Sequence, residues 1–237
     1  MSKPCPILGV AIYLDCLECE DKLCRKQEKK NVRGDVMPKI IIGVDPSYKN
    51  TGISICVDGR LKAITSLRFS KSQSNSEKRN LLSEKMEHVI SNVCLPKSKD
   101  ITVIIERIRL SSEGYINMDY IKGVGALNAV IIDVASRHNI KTFSVDTRAW
   151  KANVVGTSKP QANKYGIDPK KWPTIKYIVA LGFEDRILSK VSNSKKKGVV
   201  KIIDGQKYIY NDDAADSACI ALYGFLPESV QRLQIEK

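Results

Sequence analysis

Histidine is nearly absent from this 237-residue chain, with two in all. His88 has no second histidine or cysteine at ligand spacing, so it reads as a surface or boundary residue. No run of 18 apolar residues occurs, which excludes a membrane-spanning helix. Pro6 to Leu14 is apolar but short. Acidic residues follow it instead of a small-residue cleavage site, which argues against a signal peptide. Acidic residues are also in deficit: 26 Asp and Glu stand against 39 Lys and Arg, a net charge of +13. That balance calls for a polyanionic partner. No amphipathic basic helix stands out for a membrane surface, and nucleic acid fits best, because basic proteins gain affinity by releasing phosphate counterions.

What is present is globular in composition, at 43% hydrophobic and 27% charged residues. The length suits one large domain, or one domain with appendages. An intracellular (cytoplasmic) protein with reduced cysteines is expected. Residues 1–37 read as an extension before a domain over 38–237, with Gly34 and Pro38 marking the boundary. Cys5, Cys16, Cys19 and Cys24 cluster in the extension, and Cys16 with Cys19 forms a CxxC pair. Four thiolates suit a tetrahedral zinc ion, but the second spacing is CxxxxC, so a flexible or weakly ordered segment stays open beside zinc.

The most informative stretch is Ile40-Ile41-Ile42-Gly43-Val44-Asp45-Pro46. Its β-branched run reads as a strand buried on both faces, ended by a carboxylate just before a proline that enforces extended geometry. Ile53 to Val57 and Arg60 to Phe69 continue as an antiparallel meander through an Asp58-Gly59 turn. Residues 74–94 carry apolar positions at helical spacing, with Asn75 or Ser76 as N-cap. Ile101 to Glu106 is a second buried strand that ends in a carboxylate. Such a glutamate is costly to bury unless it pairs, with Arg107 or Arg109, or binds a metal. A glycine-bearing helix over 117–138 and a strand over 140–145 follow, which requires a parallel crossover. The expected fold is α/β: a five-stranded mixed sheet, three strands antiparallel and then two parallel, flanked by helices.

Residues 146–173 are loop-rich and carry Lys151, Lys159 and Lys164; a helix opened by Pro173 then carries Lys176. Residues 186–201 contain no acid and include Lys195, Lys196 and Lys197. This basic loop leads into a hairpin turned at Asp204-Gly205. The last helix opens Asn211-Asp212-Asp213-Ala214-Ala215-Asp216. Asp213 and Asp216 are three apart, on one face of its first turn. One acid there is an ordinary cap, but two repel unless a cation lies between them.

Asp45, Glu106, Asp213 and Asp216 form an oxygen-only donor set suited to Mg²⁺ or Mn²⁺. Two such ions about 4 Å apart clamp the attacking and leaving oxygens of a phosphodiester. These residues resemble the RuvC-like Holliday-junction resolvases of the ribonuclease H-like superfamily. The resemblance rests on Gly43-Val44-Asp45-Pro46 with Thr51-Gly52, on Ile104-Ile105-Glu106, and on Asp213-Ala214-Ala215-Asp216-Ser217-Ala218. It spans about residues 39–226 and implies a ribonuclease H-like fold with the four acids as metal ligands. It further implies a structure-selective endonuclease that cuts four-way junctions by paired symmetric nicks.

Lys151, Lys159 and Lys176 lie where such proteins place catalytic and phosphate-contacting lysines, with Lys151 the expected catalytic one. Lys49, Arg109, Lys164 and Lys195 to Lys197 complete the expected DNA contacts. Ser47 replaces the family's glycine, and Arg109 stands where bacterial members carry an aromatic wedge, which shifts that role to Tyr115 or Tyr120. The leader and basic loop resemble phage or mobile-element versions. One site per chain and a two-fold substrate imply a homodimer, with the 117–138 helix as interface. A broader branched-DNA nuclease acting on forks, flaps or D-loops is the alternative. A non-catalytic DNA-binding module leaves the acids unexplained, and an actin-like ATPase needs a second glycine-rich loop that is not there.

Overall fold

The computed structural model describes residues 38–93, 100–108, 118–191 and 198–236. β1 (Lys39–Asp45), β2 (Asn50–Val57) and β3 (Arg60–Arg68) form the expected meander. Asp58 and Gly59 both take positive φ in the two-residue turn, the backbone twist that such hairpins need. β4 (Asp100–Glu106) lies parallel to β1, and β5 (Lys141–Val145) parallel to β4. The order is therefore β3-β2-β1-β4-β5, as the ribonuclease H-like resemblance implies.

A sixth strand corrects the expected count of five. β9 (Leu233–Ile235) runs antiparallel along β5. Its three residues include an exposed Ile235, so no periodic pattern announces it. The basic insertion is likewise larger than a hairpin. β6 (Leu188–Val191) joins β7 (Lys201–Ile203) and β8 (Gln206–Tyr210) in a separate three-stranded sheet, so part of the expected basic loop is a strand.

Two layers cover the main sheet. On one face α1 (Asn75–Val93) and α2 (Met118–Arg137) bury Leu82, Met86, Ile90, Leu127 and Ile131 against Ile40, Ile42 and Val44. α1 is capped by Ser74, one residue ahead of Asn75 and two ahead of Ser76, the expected caps. The Ser74 hydroxyl accepts from the Glu77 amide at 3.2 Å, and Glu77 accepts from the Ser74 amide at 2.6 Å, a reciprocal capping box. On the other face α5 (Asp212–Tyr223) packs on Ile41 and Ile104, and α4 (Trp172–Ala180) packs against α5. Between β5 and α4, the short helix α3 (Thr147–Trp150) runs into a π-helical turn over Lys151–Val155.

Side chains alternate across a strand. Ile41, Gly43 and Asp45 therefore share the α5 face of β1, and Ile104 and Glu106 share that face of β4. The parallel register sets Gly43 against Ile104 and Val44 against Ile105, which brings Asp45 and Glu106 to neighbouring strand ends. Two glycines then admit α5. A Cβ on Gly43 would meet Ser217 O and Ala221 N at 2.4 Å, and one on Gly52 would meet Asp213 O at 1.9 Å. Both collisions are with helix backbone, which cannot rotate away. Gly52→Ala is expected to destabilise the protein by about 3 kcal/mol or more, since it overpacks a rigid contact. Urea unfolding reads this out, and an unchanged midpoint would show that α5 is free to shift.

Candidate functional site

Three carboxylates converge where β1, β4 and α5 meet. Asp45, Glu106 and Asp216 each offer an oxygen within 4.8 Å of the others, although up to 171 residues of sequence separate them. Asp45 is held well above the usual carboxylate range, first by burial and then by the charges of Glu106, Asp216, Asp213 and Asp212. Asp216 is pushed up to about 7 by burial, with Lys151 opposing and Glu106 and Asp212 adding. Glu106 is raised by burial, against the Thr147 hydroxyl that donates to it and the charge of Lys151. Trp150 also eases that charge, but its indole N–H completes no regular hydrogen bond.

Asp213 stands beside this triad. Its Oδ2 accepts from Asn50 Nδ2 at 2.8 Å, and burial with the Asp212 charge pushes it up to about 6. The expected four-acid set is thus three converging groups plus a neighbour tied to β2. The capping role that one acid would ordinarily fill belongs to Asn211, whose side chain accepts from the Ala214 amide at 3.2 Å. Asn211 Oδ1 also accepts from Asn50 at 2.8 Å.

The donors fit a hard divalent cation. All are oxygens, no histidine or cysteine joins the group, and Asp216 Oδ1 is buried with no hydrogen-bond partner. Thr174 Oγ1 lies near enough to ease the Asp216 charge but is itself unpartnered. An orphaned carboxylate oxygen facing like charges is costly to bury without a cation.

Lys151 is brought to the site: its Nζ is 3.9 Å from Asp216 Oδ2, and both side chains are 15% exposed. Buried Trp150 anchors the helix that presents it, and the ammonium lies 5.0 Å from the centre of that indole ring. Lys49, Lys159, Lys164 and Lys176 are exposed, and none belongs to the acid cluster. Arg109, Tyr115, Lys195, Lys196, Lys197 and the four extension cysteines lie outside the described residues. Tyr120, half-exposed, lines a cavity of about 230 Å³ together with Asp45, Glu106 and Thr147. Its phenol is pushed up by burial and then by Asp45, Asp213 and Glu106.

Sequence reasoning missed Lys171 and Asp212. They form an ion pair; burial lowers the lysine's pKa, but the hydrogen bond to Asp212 and the charges of Asp212, Asp213 and Asp216 together raise it. No spacing rule joins residues 41 apart across a loop, so no local signal marked them. The helix expected as a dimer interface spends its apolar stripe internally. Gly123 packs against the Tyr48 ring, and Val124, Leu127 and Ile131 are buried in the core. Among the described residues, no helix is long and apolar enough to cross a membrane.

No family model and no curated protein matches the chain. Solved structures similar to it include a Thermus thermophilus RuvC in complex with Holliday junction substrate, at 12% identity and TM-score 0.48, covering 78% of this chain and 91% of that one. The yeast mitochondrial Holliday junction resolvase Ydc2 is similar at 14% identity and TM-score 0.41, covering 84% and 83%. An ethanolamine utilization protein EutJ from Carboxydothermus hydrogenoformans follows at 11% identity and TM-score 0.33, covering 55% and 45%.

Proposed function

We propose that this protein is a divalent-metal-dependent endonuclease acting on branched DNA, four-way junctions above all. The observation that carries the reading is the convergence of Asp45, Glu106 and Asp216 beside Lys151 on a strongly basic chain. Mg²⁺ or Mn²⁺ held by these acids, with Asp213 adjacent, would supply Lewis-acid stabilisation to the attacking and leaving oxygens of a phosphodiester. The chain's own groups do the rest. Thr147 fixes the rotamer of Glu106, and Asn50 fixes Asp213. Lys151 offsets the negative charge that Asp216 and an incoming phosphate bring together. Tyr120, at the mouth, is placed to stack on an unpaired base at the branch.

A junction with two-fold symmetry requires two cuts, so two copies are expected on one substrate. The buried stripe of α2 faces its own core, so a contact between copies on this helix would use its other faces. The exposed Met118 and Tyr120 at the start of α2 are the apolar groups left there. A broader nuclease acting on forks and flaps needs the same acid site, and substrate choice separates the two.

The test is cleavage of a synthetic four-way junction, a fork and a linear duplex in Mg²⁺, with and without chelator, by wild type and Glu106→Gln. Paired nicks at matching positions of the junction, lost with chelator and in the variant, are the expected result. Equal cutting of junction and fork would demote the protein to a general branched-DNA nuclease. No cutting of any substrate would sink the nuclease reading. The mass of the protein–junction complex in sedimentation, two copies or one, decides the dimer.

A further inference from the structure

A cavity of about 840 Å³ opens beside the site, where β4 and β5 end and β9 begins. Three arginines line it: Arg107 just past β4, Arg148 in α3 and Arg232 just before β9, with Asn153 and Gln234. Asp146 is the one acid among them, and its Oδ1 is engaged by the Arg148 amide at 2.8 Å, the cap of α3. Among the described residues, none of the three guanidiniums forms an ion pair. Arg107 Nε donates to the buried Ser144 hydroxyl at 3.4 Å, and its amide donates to Val145 O at 2.8 Å, so its backbone is fixed and its side chain tethered.

Arg232 is held as firmly from the backbone side. Its amide donates to the Tyr223 hydroxyl at 2.7 Å, and Tyr223 is fully buried. Gln231 Nε2 ties the same connector to Leu226 O at 2.6 Å and Gly224 O at 3.1 Å. The positive charges therefore sit on a built wall and not on a loose tail.

We propose that this cavity seats the sugar–phosphate backbone of the DNA strand that runs away from the scissile phosphate. The inference rests on the nuclease reading and adds the path of the substrate. Arg107 lines both this cavity and the smaller one lined by Asp45 and Glu106, so the two adjoin at its side chain. Guanidiniums match phosphate oxygens in a bidentate fork, and three of them with one engaged acid favour a polyanion over an acidic side chain. The volume lies high in the roughly 300–1,000 Å³ range of ligand cavities, more than a single phosphate fills.

The test is the salt dependence of junction binding, measured in chelator by full-length wild type and Arg148→Gln/Arg232→Gln. Each lost phosphate contact lowers the slope of log K against log salt by about 1, so the double variant should fall by about 2 and each single variant by about 1. A control with two charges removed elsewhere, Lys71→Gln/Arg79→Gln, should keep the wild-type slope. An unchanged slope in the arginine variants, or an equal fall in the control, would overturn the cavity assignment while leaving the nuclease reading intact. Wild type that binds no DNA would instead remove the parent reading. The single variants replace exposed side chains, and matching thermal melts confirm that they fold.

Discussion

Asp45→Asn is expected to abolish cleavage, by on the order of 10³-fold or more, and to raise the melting temperature of the metal-free protein. The two effects share one cause. Asp45 is surrounded by Glu106, Asp216, Asp213 and Asp212, and burial holds its proton well above the usual carboxylate range. Asp213 and Asp216 are pushed up to about 6 and about 7. Acids with raised folded-state pKa values bind more protons when folded than when unfolded, so stability falls as pH rises between the ordinary carboxylate range and about 7. Wild type in chelator should thus melt highest near pH 4–5 and lowest above pH 7. Asn is isosteric and neutral. At pH 8 it should return about 5–10 °C of melting temperature and flatten the pH profile. Divalent cation should stabilise wild type at pH 8 and leave the variant nearly unmoved. Calorimetry across pH, with and without Mg²⁺, makes the comparison. A variant that melts lower than wild type in chelator at pH 8 would mean that Asp45 is held by a structural partner and that the cluster is not a cation site.

This opposition between stability and site also explains how the sequence could be read. A carboxylate that ends a β-branched run contradicts its surroundings, and such local contradictions gather at functional sites. Asp45 and Glu106 were visible for that reason, and the period-2 alternation of β1 and β4 put both on one face. Gly43 and Gly52 entered the reading as parts of the first motif. Their role became clear only against the backbone of α5, which the sequence does not place. Asp213 and Asp216 were visible as a pair at i and i+3, but their division of labour depended on Asn50, 163 residues away. The Lys171–Asp212 pair, strand β9 and the arginine cavity had no local signature. Each is assembled from segments that meet only through the sheet, and three-residue strands carry too few side chains to show a period.

The same long-range assembly sets Lys151 beside the acids, apart from the other described lysines the sequence offered. Its Nζ lies 3.9 Å from Asp216 Oδ2, whereas Lys159, Lys164 and Lys176 are exposed and outside the acid cluster. Its charge lowers the pKa of both Asp216 and Glu106 against the burial that raises them. Lys151→Gln removes that help, so both acids hold their protons to higher pH. Cleavage at pH 7 should fall by about 10²–10³-fold, and part of the loss should return at pH 9, where the acids ionise without assistance. The acid limb of the pH–rate profile should move upward. Lys151→Arg keeps the charge and should hold the limb near its wild-type position even where the absolute rate drops. Lys176→Gln, by contrast, should change the rate by no more than a few-fold. A uniform loss for Lys151→Gln at every pH would assign Lys151 to phosphate positioning alone, because a group that only orients substrate leaves the titration of its neighbours unchanged.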